Sequence, residues 1–348
     1  MRILYGVAGE GYGHSSRALV IADYLQKQGH EVVILTYGQA YKVLKNKFKT
    51  FKVRGLHLFF EKSVLSMKKT IFNNLRHFTK NFLRWKKFYK LMQDFKPELC
   101  ISDMEPIVPI LRNWYKLPLI CIDNQHRITN LDIEVPKKYY QDYLVAKSVV
   151  DSFVKKADYF LVLSFANVKI NKKNTIIIPP LIREEVKKIK NKVKYENKIL
   201  IYLTKKDSSI LDELKNIREN FVVYGYDKKG KQENIGFKTK ESFLQDLKDC
   251  KAIIATAGFT LMSEAIFLKK PYLALPLQGQ FEQTLNALFL KKAGFGDYTE
   301  NLTEKEIVYF LHKAEAYKKN LQTYKPDYNK LFRVLDKILK GFERYSRN

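Results

Sequence analysis

Cysteine is scarce in this chain. Its 348 residues include three, Cys100, Cys121 and Cys250, each inside an apolar run and none in a CxxC spacing. That argues against a disulfide framework or a thiolate-rich metal site and fits buried thiols of a reducing compartment. Long apolar runs are missing as well. No stretch approaches the about 18 uninterrupted apolar residues of a spanning helix. The opening MRILYGVAGEG reads as a strand entering a turn, without the apolar core and small-residue cleavage site of a secretory leader. The expected location is cytoplasmic, at most peripheral on the inner membrane face. Acids are also in deficit: 36 Asp and Glu stand against 63 Lys and Arg, a formal charge of +27. Such an excess belongs either to a lysine-rich solvated surface or to one that meets polyanions, and charge alone does not choose.

What is present is enough for two cores. Hydrophobic residues make up 46% of the chain, and its length suits two domains of common size. Strand and helix patterns alternate throughout, as in α/β units built on parallel sheets. Strands are expected at Arg2–Ala8, Glu31–Thr36, Leu99–Ser102, Leu117–Asp123, Tyr159–Ser164 and Thr175–Pro179. A lysine-dense stretch without a clear apolar face, Arg183 to Asn197, is the candidate boundary. The alternation restarts with Lys198–Thr204, Phe221–Tyr224, Ala252–Thr256 and Tyr272–Pro276. The expected domains are residues 1–182 and 196–326, with 327–348 as a closing amphipathic helix carrying Tyr328, Leu331, Val334, Leu335, Ile338, Leu339 and Phe342 at helical spacing.

One segment interrupts the alternation. From Lys62 to Lys96 ten basic residues face a single acid, Asp94. Ile71, Leu75, Phe78, Phe82, Trp85, Tyr89 and Met92 recur at steps of four and three, the stripe of a long helix. Two readings stay open: a helix packed on its own sheet with a wet basic back, or a membrane-surface helix whose aromatics enter the head-group layer.

Two constellations carry possible chemistry. The first is GVAGEGYGHSSRALVIADYL, Gly6 to Leu25, with Gly6, Gly9, Gly11 and Gly13 between the first strand and a helix burying Ala18, Leu19, Ala22 and Leu25. Glycines let backbone approach a ligand closely, and a helix start supplies amides. A dinucleotide fingerprint is a weak fit, because Ser15 stands near the third glycine position and Thr36 and Tyr37, not an acid, end the second strand. His14 in this loop can take a proton from an acceptor hydroxyl at neutral pH, or serve only as a structural hydrogen-bonder. Asp103 and Asp123, at the ends of two strands, are candidates to orient it. Glu105 and His126 are further candidates for base work or for binding an acceptor. Spacing does not rank them, because sheet order sets the distances.

The second constellation runs from Ala255 to Gly296. Gly258-Phe259-Thr260 opens a helix that carries Glu264, so amides at that start can receive a diphosphate without a metal while Glu264 accepts from ribose hydroxyls. Thr204 and Lys205, at the end of another strand, are placed to meet the same diphosphate. The following loop, PLQGQFEQTLNA, crowds Gln278, Gln280, Glu282, Gln283 and Asn286 together, side chains that both donate and accept as a polyhydroxylated ring demands. Taken singly, each feature also fits an ordinary turn, an exposed helix acid or a polar surface loop.

At these residues the chain resembles the nucleotide-sugar glycosyltransferases of GT-B architecture, in particular the group of the lipid-linked N-acetylglucosaminyltransferase of peptidoglycan synthesis, the diacylglycerol glycosyltransferases and the UDP-glucuronosyltransferases. The matching positions are Gly9, Gly11, Gly13 and His14, then Ala257, Gly258, Thr260, Glu264, Pro271, Pro276, Glu282, Gln283 and Asn286. Ala257-Gly258 stands where the family has a glycine doublet, and GVAGEGYGH where it often has GGTGGH. The resemblance implies an α/β fold of two Rossmann-like domains facing across a cleft, with the C-terminal helix returning to the first. It implies inverting, metal-independent transfer of a hexose or N-acetylhexosamine from a UDP-sugar, with no further cofactor, to an alcohol, possible acceptors including a lipid or polymer precursor. His14 and Asp103 would be catalytic. Gly11, Gly13, Glu105, Asp123 and His126 would face the acceptor. Thr204, Phe237 (beside the uracil, through its backbone), Gly258, Phe259, Thr260, Glu264, Gln280, Glu282 and Gln283 would bind the donor. An epimerase of UDP-N-acetylglucosamine and a basic nucleic-acid binder are the rivals; no nucleic-acid-reading module is recognisable, so no nucleic acid is expected as a partner.

Overall fold

The computed structural model describes residues 1–53, 60–61, 64–65, 82–190, 194, 196–204, 208–226 and 228–345. Most of the basic segment before Phe82, including Ile71, Leu75 and Phe78, lies outside the described residues, as does Lys205. The chain divides into two compact units. The first is Met1–Leu181 with Asp327–Asn348 and the second is Ile182–Pro326.

The first unit is built on a seven-stranded sheet ordered β3-β2-β1-β6-β7-β8-β9. Its strands are β1 (Arg2–Val7), β2 (Glu31–Thr36), β3 (Lys49–Lys52), β6 (Leu99–Asp103), β7 (Leu119–Asp123), β8 (Tyr159–Leu163) and β9 (Thr175–Ile178), and every neighbouring pair is parallel. A two-residue hairpin pairs β4 (Phe60–Glu61) with β5 (Val64–Leu65). The central strands are near-continuous apolar runs because helices cover both faces of a parallel sheet. The chain leaves β1 for β2 and β3 on one side, then returns to β6 on the other. The connection therefore reverses between β1 and β6, which stay paired as far as Val7 and Asp103, and the carboxyl ends of the strands at such a reversal are the usual ligand position in these sheets.

Two helices complete this unit where the sequence pattern pointed, with changes of detail. The Phe82–Phe95 helix buries Leu91, Met92 and Phe95 against the sheet, with Trp85 and Phe88 packed on the same cluster. Tyr89, counted on the expected apolar stripe, is instead 62% exposed. The last helix, Lys330–Tyr345, buries Leu331, Leu335, Ile338 and Leu339. It is fastened by Tyr24, whose hydroxyl donates to Asp336 at 2.7 Å and whose ring lies 4.2 Å from that of Phe332.

The second unit repeats the plan. Its sheet runs β12-β13-β11-β10-β14-β15-β16, and only β12 (Gly230–Gln232) is antiparallel to its neighbour, β13 (Ile235–Phe237). The rest are β10 (Glu196–Tyr202), β11 (Phe221–Tyr224), β14 (Cys250–Thr256), β15 (Tyr272–Leu275) and β16 (Gly296–Tyr298). The reversal falls between β10 and β14, where Tyr202 pairs with Ala255. The lysine-dense stretch opens this unit with a helix, Glu184–Ile189, anchored by the buried Val186. All three cysteines are buried thiols. Among the described residues, no helix is long and apolar enough to cross a membrane.

Candidate functional site

Each unit carries a polar cluster at its sheet reversal. In the first, β1 runs out through Ala8, whose amide donates to the carbonyl of Asp103 at the end of β6. The loop then folds flat against β2: Gly9 accepts from the Gln39 amide, and a Cβ on Gly9 would overlap Tyr37. Gly11, at φ 76°, precedes the Tyr12–Lys27 helix in a conformation that favours glycine. Gly11 is exposed and Gly13 half-buried. These constraints bring the first turn of the helix over the end of β6.

His14 Nδ1 there lies 2.8 Å from Asp103 Oδ1. The imidazole remains 16% exposed, whereas the carboxylate is fully buried. Arg17, one turn on, holds that carboxylate with both arms of its fork, Nε to Oδ2 at 2.8 Å and Nη2 to Oδ1 at 2.7 Å. Its third nitrogen donates to Asn124 Oδ1 at 2.7 Å, from the turn after β7. His14 Nδ1 is also 2.9 Å from Arg17 Nη2, which is a donor. With hydrogen on Nδ1 the ring donates to Asp103 and Nε2 keeps its lone pair; with hydrogen on Nε2, Nδ1 accepts from Arg17 instead. Burial alone would raise the Asp103 carboxyl, but the Arg17 guanidinium and His14 outweigh it and hold the group below its ordinary value.

The other acids of this edge turn inward. Glu105 is fully buried and caps the Ile107–Tyr115 helix, accepting from the amides of Ile107 and Val108. Burial pushes its carboxyl up to about 7 against the pull of those amides. Asp123 accepts from His126 Nδ1 at 2.7 Å, and both are almost wholly buried. The second nitrogen of His126 faces the Val154 carbonyl at 3.0 Å, so both ring nitrogens meet acceptors. Burial would lower this imidazole, yet the Asp123 carboxylate and the two hydrogen bonds raise it. The structure thus brings His14 and Asp103 together and keeps Glu105, Asp123 and His126 in separate, enclosed contacts.

In the second unit the cluster is mostly backbone. The exposed Thr204, beyond β10, donates its amide to Thr256 Oγ1 at 2.9 Å, tying the ends of β10 and β14. Gly258 then caps the Phe259–Phe267 helix without a side-chain cap hydrogen bond. First-turn amides have no acceptor within their own helix, so such an end favours an anion. Gly258 and Thr260 are half-buried and Phe259 is buried. Asn286 donates to the Ala257 carbonyl at 2.7 Å and braces the turn from below. The adjoining loop is knitted by Gln283, which accepts from the Leu277 amide at 3.0 Å and donates to Gln280 Oε1 at 2.6 Å. Glu282 is half-buried beside them. Phe237 ends β13 with its ring buried among the core residues of the sheet.

Glu264 does not stand open. Arg183 grips it on both oxygens, Nε to Oε1 at 2.6 Å and Nη2 to Oε2 at 2.8 Å. That hydrogen-bonded pair raises the Arg183 guanidinium, against burial. Sequence reasoning missed both arginines. The available signals were an arginine among the apolar residues of the first helix and the single arginine of a lysine-rich stretch; Arg supplies the planar fork that Lys lacks. Among the described residues, no group of three or more His, Cys, Asp or Glu is arranged to hold a metal ion.

Residues 1–314 match the family described as Glycosyl transferase family 1. An uncharacterized glycosyltransferase of Methanosarcina acetivorans is 22% identical, with 88% of each chain covered. The solved glycotransferase of kitacinnamycin superposes with a TM-score of 0.69 over 97% of this chain and 98% of its own, at 13% identity. The glycosyltransferase VinC, solved with dTDP, gives 0.63 over 99% and 100%, at 14% identity. The two sheets share the GT-B architecture with these structures over nearly the whole chain, and the protein belongs to glycosyltransferase family 1.

Proposed function

We propose that this glycosyltransferase moves a hexose or N-acetylhexosamine from a UDP-sugar to an alcohol, with inversion and without a metal. The observation that carries the reading is the contact of partly exposed His14 with buried Asp103, itself clamped by Arg17. His14 Nε2 takes the acceptor's hydroxyl proton while that oxygen forms its bond to the anomeric carbon. The bond from that carbon to the diphosphate breaks on the opposite face, and the electron pair leaves on UDP. Asp103 keeps the ring in the correct tautomer and faces the positive charge that develops on it.

The leaving diphosphate sits at the start of the Phe259–Phe267 helix, where the amides following Gly258 and near Thr260 offset its charge. Thr204 flanks it. Glu264 receives the ribose, Phe237 lies by the uracil, and Gln280, Glu282 and Gln283 receive the sugar hydroxyls. Gly11 and Gly13 leave room for the acceptor. Because VinC was solved with dTDP, thymidine is the rival nucleotide, and a thermal-shift series with UDP, dTDP, GDP and their sugars decides between them. Turnover is tested by UDP release in wild type and His14→Ala. A collapse with unchanged UDP binding is expected; equal turnover removes the histidine from the chemistry.

The acceptor proposed is a lipid-linked alcohol at a membrane surface. Support comes from the first unit, where Tyr89 and Trp114 are 62% and 61% exposed and Lys86, Lys87 and Lys90 are exposed on the helix that carries Tyr89. Flotation with vesicles of neutral and anionic lipid tests it: binding confined to anionic vesicles is expected, and none at low salt discards it.

A further inference from the structure

The Glu264 carboxylate is 1% exposed, while the Arg183 side chain that covers it is 34% exposed. Each carboxylate oxygen accepts from its own guanidinium nitrogen, at 2.6 and 2.8 Å, in the two-point geometry of the strongest carboxylate pairs. Glu264 lies inside the second unit on a helix buried through Met262–Phe267. Arg183 is attached differently, as the second residue of the unit and just before its first helix. Of the two partners, the arginine is the one with an open side and room to leave.

A group that replaces Arg183 must satisfy both oxygens at once, because a buried carboxylate left half-covered loses hydrogen bonds that water cannot restore. The vicinal 2′- and 3′-hydroxyls of a ribose offer two donors at the spacing of one carboxylate. A 2′-deoxyribose offers one.

We propose that Arg183 occupies the seat of the donor's ribose diol in the free protein, so that every nucleotide donor must displace it and binds more weakly than an open site would allow. The inference rests on the reading of Glu264 as the ribose acceptor and adds the residue that holds that seat before the nucleotide arrives. The cost of removing Arg183 is common to every nucleotide, whereas a preference for ribose over 2′-deoxyribose belongs to Glu264, as a site built for a hydroxyl rejects the analogue lacking it.

The test is calorimetric titration of UDP and 2′-deoxy-UDP into wild type, Arg183→Met and Arg183→Lys. Wild type is expected to prefer UDP by about 10- to 100-fold, the weight of one hydrogen bond to a charged group. In Arg183→Met no guanidinium has to leave Glu264, so both ligands are expected to bind more tightly by the same factor, about tenfold or more, with the preference between them unchanged. Arg183→Lys, with one ammonium in place of the fork, is expected to fall between and serves where the methionine variant does not fold. A UDP affinity unchanged in the folded variants overturns the role of Arg183 while leaving the donor site standing, and equal affinity of wild type for the two ligands overturns Glu264 as the ribose acceptor. A wild type that binds neither ligand overturns the donor reading and this inference together.

Discussion

The two sheet reversals hold their polar groups in opposite ways. At the first they are side chains: a buried carboxylate is shared by a histidine and an arginine, and the arginine is held again by Asn124. At the second, the groups without a side-chain cap are backbone amides after Gly258, and side chains such as Asn286 and Gln283 brace the turns. A cluster made of side chains fails when one member is removed. A cluster made of amides tolerates most substitutions, because every residue but proline brings the same N–H. The first reversal should therefore concentrate large mutational effects and the second should spread small ones.

The largest effect is expected from Asp103→Ala. It leaves the buried Arg17 guanidinium without its carboxylate, and removing one partner of a buried ion pair costs roughly 3–5 kcal/mol. Urea unfolding should show that loss, and an unchanged midpoint would mean that Arg17 finds another partner. His14→Ala separates chemistry from stability at the same place. Turnover should fall by about 100- to 10,000-fold, the usual weight of a general base, while the unfolding midpoint moves far less than in Asp103→Ala because Arg17 still holds both oxygens of Asp103. A large stability loss in that variant would recast His14 as a structural hydrogen-bonder.

At the second reversal the expected effects are smaller. Gln283→Ala removes two neutral hydrogen bonds, each worth about 0.5–1.5 kcal/mol net, and should raise the donor KM by roughly tenfold with little change in kcat. Thr260→Ala keeps the amide and should leave donor affinity within about threefold, less than one neutral hydrogen bond. If Thr260→Ala proves the more damaging, the anion is held by side chains and the contrast between the two sites is wrong.

How much of this could be read beforehand follows from the same contrast. Apolar strands such as Glu31–Thr36 and Phe221–Tyr224 declare themselves, because burial on both faces leaves an unbroken run of apolar residues in each, Val32–Leu35 in the first and the whole of the second. Lys49–Lys52, Gly230–Gln232, Ile235–Phe237 and Gly296–Tyr298 escape notice, being short, interrupted by Lys, Gly, Gln or Asp, and at or near sheet edges. The glycine before a helix start is legible because it is local. Spacing leaves Asp103 and Asp123 equal as partners for His14, and only the order β1-β6-β7 separates them by placing Asp103 beside the loop. Arg17 and Arg183 are hidden for the same reason. The partner of a buried charge is chosen by tertiary adjacency, over 86 residues for Arg17–Asp103 and 81 for Arg183–Glu264.

The smallest expected effect is a pH dependence that separates the two carboxylate–histidine contacts of the first unit. His126 lies between Asp123 and the Val154 carbonyl, with the Phe160 ring 4.6 Å away and Lys172 opposing its charge. Its imidazole is raised in the folded protein, so the folded state binds the proton more tightly than the unfolded chain does. That contribution is complete below the unfolded value of about 6.5 and is lost as pH climbs through the raised folded value. Asp103 behaves in the opposite sense: its carboxyl is lowered, so its contribution is complete above about 4 and is lost as pH falls through the lowered folded value. Urea midpoints measured on the alkaline side should therefore decline in wild type and flatten in His126→Asn, while the acid limb stays the same in both. An alkaline decline that survives in His126→Asn would assign the proton to another group and leave the enclosed Asp123–His126 contact without a share in the titration.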